Sequence, residues 1–218
     1  MVRKYWQITL IAFCAASHLP AAEPEPTPSE WKLISNKEDV TLYRRTRPGS
    51  GHYESKATGE IAASSDIVRA VLDDVESYSQ FMPYTVESRV IKREPDSLVG
   101  YQRISTPMIR DRDYTLRIRT TTKTGKDGTI YTSRWQTENA LGPEQRPGII
   151  RVNLCEGSWT LEPTGPNSTR ATYMVYTDSG GAIPEFVKNI GSQIGIRKIF
   201  AAIRKQVRDP KYLKKANG

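Results

Sequence analysis

A run of β-patterned segments in close succession, followed by one long helix-patterned segment, leaves this chain few architectures. The segments are Val86 to Arg93, Leu98 to Ser105, Tyr114 to Thr121, Ile130 to Glu138, Ile149 to Leu161 and Thr169 to Thr177. Turn chemistry separates them, as in Glu94-Pro95-Asp96, Lys126-Asp127-Gly128 and Glu162-Pro163-Thr164-Gly165-Pro166. Connections this short join antiparallel neighbours. Ahead of them, Val40 to Thr46 and Tyr53 to Ile61 alternate apolar and polar residues around Pro48-Gly49-Ser50-Gly51, which predicts a hairpin. Ser64-Ser65-Asp66 then offers capping side chains to a helix in which Ile67, Val68, Val71, Leu72 and Val75 recur at helical spacing, ending before Phe81-Met82-Pro83. The order is two strands, a helical region, about six strands and one long helix. An antiparallel sheet of that length must bury one face, and the last helix is the one large apolar partner left. The expected fold is α+β, a helix grip: a curved antiparallel sheet wrapped around a long C-terminal helix, with a hydrophobic cavity wherever side chains leave the interior unfilled.

The first 22 residues show the charge, apolar core and small-residue order of a secretory signal peptide: Arg3 and Lys4, then Ile8 to Ala16, then Leu19-Pro20-Ala21-Ala22. The expected organisation is a signal peptide over 1–22, a Pro-rich spacer over 23–30, a binding domain over 31–212 and a basic tail over 213–218. The mature protein is expected in the periplasm or outside the cell. Of the two cysteines only Cys155 lies beyond Ala22, so no disulfide forms within the mature chain. Removing Arg3 and Lys4 from 32 basic residues leaves 30 against 24 acids, a mild excess. Much of it sits in Arg204 to Lys215 rather than on a reading element with interleaved aromatics, which argues against nucleic acid. That tail reads as a solvated helix end; as a partner surface it fits an anionic membrane, touched transiently.

The final helix, Ser179 to Phe200 and beyond, carries glycines at Gly191 and Gly195 where Ala would be more favourable. Both flank the stripe Ile183, Val187, Ile190 and Ile194, so they face the sheet if that stripe does. Missing side chains there make room either for a ligand or for close packing on a strand. A second stripe, Ile196, Ile199, Ile203 and Val207, is rotated by about 150°, and one straight helix cannot turn both inward.

Three pieces in order, Arg112-Asp113-Tyr114, Gly148-Ile149-Ile150-Arg151, and Thr172-Tyr173 with Ser179-Gly180-Gly181-Ala182-Ile183-Pro184, resemble the StAR-related lipid-transfer (START) family. The similarity runs from about Trp31 to Val207. The resemblance implies a hollow helix grip holding one lipid, the C-terminal helix acting as lid, and an aromatic facing the ligand at Tyr173. Where the sterol-binding branch would place a basic residue, four positions after the aromatic of Arg-Asp-aromatic, this chain has Ile118, which argues against a sterol.

Within such a grip, strand parity puts Tyr114, Leu116, Ile118 and Thr120 on the inward face and Arg117 and Arg119 on the other. Trp135 and Trp159 line the cavity or fill the core. Tyr101 and Arg103, with Asp111 and Arg112, are the polar candidates for the cavity wall, while Arg112 and Asp113 also fit a buried structural ion pair. The ligand-binding set is therefore Tyr101, Arg103, Asp111, Arg112, Tyr114, Leu116, Ile118, Trp135, Tyr173, Val187, Ile190, Gly191 and Ile194. His52 and Cys155 lie about a hundred residues apart and make a poor nucleophilic pair. No metal-ligand spacing or phosphate-cradling loop is present, so no cofactor is expected. The expected function is noncovalent binding and transfer of a lipid or similar hydrophobic molecule by a monomer. The competing readings are a cyclase or hydrolase on the same fold, and a ligand-sensing adaptor.

Overall fold

The computed structural model describes residues 30–107, 109–181, 183 and 185–215, with backbone alone for 185–191, 214 and 215. The hairpin forms as β2 (Val40–Thr46) and β3 (Tyr53–Ile61), with Val40 opposite Gly59 and Thr46 opposite Tyr53. A strand not expected from the sequence precedes it: β1 (Lys32–Lys37) turns into β2 through Glu38 and Asp39, both left-handed at φ 57° and 54°. Nearly all of β1 is exposed, so no face had to alternate and no apolar pattern announces it.

The Ser64 hydroxyl accepts from the Ile67 amide and caps α1 (Ser65–Asp73), whose Val68, Val71 and Leu72 are buried. A 3₁₀ turn and the single-turn helix α2 (Tyr78–Phe81) lead to β4 (Thr85–Arg93) and β5 (Leu98–Ile104). Then follow β6 (Arg112–Gly125) and β7 (Gly128–Thr137). The segment expected as one strand from Ile149 to Leu161 is two. Short β8 (Ile150–Arg151) lies parallel to β6, and β9 (Leu154–Gly165) returns antiparallel to β7. The break follows from local pairing, since the Val152 amide donates to the Asp113 carbonyl and Arg151 binds the Asp113 carboxylate. β10 (Ser168–Asp178), α3 (Glu185–Gln206) and α4 (Pro210–Lys215) complete the chain. The sheet order is β1-β2-β3-β10-β9-β7-β6-β5-β4, unclosed, with β8 beside β6.

One end of the concave face is solid. Phe200 and Ile203 of α3 are fully buried, with Ile196 and Val207 close to it, against Leu42, Ala57, Ile61 and Leu161 of the sheet and Val68 and Val71 of α1. Each large side chain so buried contributes about 1.5–3 kcal/mol. Gly59 makes the approach possible, because a Cβ there would stand 3.1 Å from the Phe200 ring and 2.9 Å from the Asp39 carbonyl oxygen. The stripe containing Ile196, Ile203 and Val207 is thus the one turned inward, and the expectation for the other is corrected at Ile194, which is 39% exposed. Val187, Ile190 and Gly191 fall where side chains are outside the described residues. The basic tail is also not free along its length. Tyr212 of α4 is buried with its hydroxyl donating to Asp74, Lys211 pairs with the same carboxylate at 2.5 Å, and Arg204 donates to the Glu38, Asp39 and Glu60 carbonyls.

Candidate functional site

The other end of the same concave face is hollow. A cavity of about 280 Å³ lies between the sheet and α3, roofed by Gly195 and Ile199. A Cβ built on Gly195 would meet nothing within 4 Å, so here the missing side chain faces open space rather than a strand.

Strand alternation builds the floor. Tyr114, Leu116 and Ile118 of β6 line it, and cross-strand register brings in their partners: Gln102 of β5 opposite Tyr114, and Trp135 of β7 opposite Ile118. Ile104 lies two residues beyond Gln102 on the same face, and Ser133, Cys155, Trp159 and Tyr173 complete the floor. The Trp135 indole stacks on Tyr173 with centroids 5.6 Å apart, and Trp159 tilts against Tyr173 at 4.7 Å and Phe200 at 5.3 Å. Trp159 therefore joins the filled half to the hollow half. Gly157, opposite Trp135, lets the indole cross bare backbone, since a Cβ there would fall 2.5 Å from the ring. The remaining wall is Leu72 and Asp73 at the end of α1, Tyr78, and the loop Met82 to Thr85.

Polar candidates on β5 and its neighbours are placed otherwise than expected. Tyr101 and Arg103 alternate with Gln102 and Ile104, so they face away from the cavity. The Tyr101 hydroxyl donates to Asp113 at 3.1 Å and accepts from Arg146 at 2.6 Å, and Arg103 pairs with Asp111 at 2.8 Å. Asp113 is fully buried and held by Arg151 through both carboxylate oxygens. The structural ion pair is therefore Asp113 with Arg151. Arg112 instead reaches the Ser179 and Gly180 carbonyls, at the turn where Gly180 and Gly181 take φ 64° and 71° before α3. Tyr101, Arg103, Asp111 and Arg112 thus leave the cavity wall, and Gln102 and Ile104 enter it. An alternating segment reading Tyr-Gln-Arg-Ile does not declare its inward face; only register against β6 does.

Burial dominates the electrostatics. It holds the hydroxyls of Tyr78, Tyr114 and Tyr173 far above the usual phenol range and pushes the Cys155 thiol up to about 11. A thiol so shifted is overwhelmingly protonated at neutral pH, which leaves little thiolate to act as a nucleophile. His52 lies 3.5 Å from Asp178 and edge-on to Tyr176, on the face opposite Cys155. Among the described residues no cluster of three or more His, Cys, Asp or Glu could hold a metal, and no helix is long and apolar enough to cross a membrane.

At the rim, Tyr84 holds a left-handed φ of 63° and its hydroxyl accepts from Lys198 of α3 at 2.8 Å. The Lys198 ammonium also sits 4.8 Å from that ring's centroid. This contact joins the Pro83 loop to α3 across the opening.

Comparison with known proteins bears on this geometry. A family model described as polyketide cyclase/dehydrase and lipid transport matches residues 61–204. An uncharacterized protein of Pseudomonas aeruginosa is 30% identical over 161 residues, 73% of this chain and 78% of that one. Mouse phosphatidylcholine transfer protein is 25% identical over 80% of this chain and 82% of its own length. The crystal structure of a STAR-related lipid transfer protein from Xanthomonas axonopodis superposes with a TM-score of 0.72 at 27% identity, covering 82% of this chain and 99% of that one.

Proposed function

Because the chain belongs to the polyketide cyclase/dehydrase and lipid transport family and has the START-type helix-grip architecture, we propose that it binds one lipid or similar hydrophobic molecule noncovalently and passes it between membranes. The observation that carries this reading is the largely apolar cavity under α3, walled by Trp135, Trp159, Tyr173, Leu116 and Ile118, roofed by Gly195 and Ile199 and partly open at its rim. The walls direct the mechanism. A hydrogen-bonded sheet offers no exit, so a ligand larger than the opening passes by displacement of α3 or the Pro83 loop, and α3 is joined to the sheet through Gly180-Gly181, both already in a conformation that favours glycine. Arg112 anchors that turn while the helix beyond it moves.

Of the set expected from the sequence, Tyr114, Leu116, Ile118, Trp135 and Tyr173 are proposed as ligand contacts. The leader supports export, with a mature chain beginning near Glu23, and the lysines and arginines of the tail support brief contact with anionic head groups. Native mass spectrometry and lipid extraction of the purified mature protein test the reading. One bound hydrophobic molecule per monomer, released unchanged, is the expected result. Extraction of a chemically converted molecule would move the reading to the cyclase side of the family.

A further inference from the structure

Polar groups are few in the cavity wall, and most are already matched within the protein. The Tyr114 hydroxyl donates to Gln102 Oε1 at 3.1 Å, the Tyr78 hydroxyl donates to the Leu72 carbonyl at 2.6 Å, and the hydroxyls of Ser133 and Thr120 meet at 2.8 Å. Gln102 and Tyr173 differ. Among the described residues nothing accepts from the Gln102 side-chain NH2 or from the Tyr173 hydroxyl, yet neither atom is sealed among protein atoms. Gln102 is nine-tenths buried and both residues line the cavity, so the open space these groups meet is the cavity's own. With Oε1 engaged as the acceptor for Tyr114, the NH2 is the end of the amide left without a partner among the described residues. Charge is scarcer. The one ionised side chain in the described lining is Asp73, held by Arg69 at 3.0 Å.

We infer, building on the reading that this cavity holds a hydrophobic ligand, that Gln102 and Tyr173 are neutral donors selecting an uncharged acceptor oxygen, the carbonyl of an ester or ketone. Such an oxygen loses little on leaving water and gains a hydrogen bond that an apolar wall cannot give. A carboxylate or phosphate would enter a described lining that holds no cation, the Lys198 ammonium standing outside it at the rim on the Tyr84 hydroxyl, a costly burial for an isolated ion. A bare hydrocarbon would leave both donors unmet. A site built to hydrogen-bond its ligand discriminates strongly against an analogue lacking the partner atom.

The test uses the mature protein loaded with N-phenyl-1-naphthylamine and displaced by three compounds of matched chain: methyl decanoate, decanoate at pH 8, and decane. Methyl decanoate is expected to bind about tenfold tighter than either of the others, the size of one neutral hydrogen bond. Gln102→Leu and Gln102→Met, which both lack the donor, should each remove the preference over decane, read as the ratio of the two affinities in the same variant. Tyr173→Phe should reduce the preference about threefold, and it keeps the inference testable if the Gln102 variants fold poorly. Decanoate binding as tightly as its ester, or an ester preference that survives in the Gln102 variants and in Tyr173→Phe, would overturn the inference and leave lipid binding standing. Failure of all three compounds, decane included, would overturn the lipid-binding reading itself and the inference with it.

Discussion

The two ends of the concave face are made of the same sheet and covered by the same helix, yet one is packed and the other hollow. At the packed end, α3 sends Phe200 and Ile203 into Leu42, Ile61 and Leu161, and the sheet recedes at Gly59 to admit the ring. At the hollow end, α3 presents Gly195 where a side chain would find nothing within 4 Å, and the Trp135 indole lies across bare backbone at Gly157 and stacks on Tyr173. Glycine does opposite work at the two ends. Gly59 lets atoms touch, whereas Gly195 keeps them apart. Architecture fixes where the interior is; side-chain volume decides which part of it is protein.

The sharpest way to break this contrast is to hollow the packed end. Phe200→Ala should cost about 3–5 kcal/mol in urea unfolding, because removing a fully buried ring loses its transfer energy and leaves a void. Ligand occupancy in the remaining folded protein should be little changed. A loss under about 1 kcal/mol would mean that the ring belongs to the ligand's wall rather than to the core.

A smaller effect should report on the opening itself. Cys155 lies on the cavity floor with its thiol raised to about 11, so alkylation needs both entry of the reagent and loss of the proton. Bound ligand should slow iodoacetamide labelling of the native protein at least about tenfold, and the rate should rise about tenfold per pH unit from 7 to 9. Equal rates with and without ligand would place the reagent's route somewhere other than the cavity.

The complementary experiment fills the hollow end. Gly195→Leu should leave stability unchanged or raise it by about 1 kcal/mol, since Leu is the better helix former and meets no atom on arrival. Occupancy should fall sharply. Stability and binding then move in opposite senses, the reverse of Phe200→Ala, and a destabilised Gly195→Leu would show that no open space lies beneath the helix.

Much of this was legible in the sequence wherever one face of an element is uniformly buried. The β2–β3 hairpin has the bounds its alternation predicts, and Tyr114, Leu116 and Ile118 line the cavity as their parity requires. Legibility failed where both faces are covered or neither is. On β5 the outward Tyr101 is as buried as any core residue, because Arg146 and Asp113 close over it, so alternation carried no sign of direction. Exposed β1 left no pattern at all. In α3 two apolar stripes compete, and only the packed end, through Phe200 and Ile203, shows which one turns inward. The polar half of the cavity was missed for a related reason: Gln102 is a glutamine between two larger, more conspicuous polar candidates, and its role rests on pairing with Tyr114 across strands.

The smallest effect concerns how the packed end is fastened. α4 folds back so that Lys211 and Tyr212 both meet Asp74 beside α1, and the packed half of α3 is thereby tied to the helix it covers. Burial alone would raise the Asp74 carboxyl, but hydrogen bonds from Lys211, Tyr212 and Ser77 outweigh it and leave the group below its ordinary range. A carboxyl with a lowered folded-state value holds fewer protons folded than unfolded, so its contribution is complete above the ordinary Asp value and is lost as pH falls through the folded one. Lys211 is shifted upward, mainly by its hydrogen bond to Asp74, so its share is complete at neutral pH and is lost only as strongly alkaline pH passes its raised value. Lys211→Met should therefore cost about 0.5 kcal/mol at pH 7, in keeping with a half-exposed pair, and next to nothing at pH 2. Urea titrations of the two proteins at both pH values measure this directly. A deficit of the same size at pH 2 would assign the effect to packing of the lysine stem, and ligand occupancy should be untouched at pH 7 because the fastening belongs to the packed end alone.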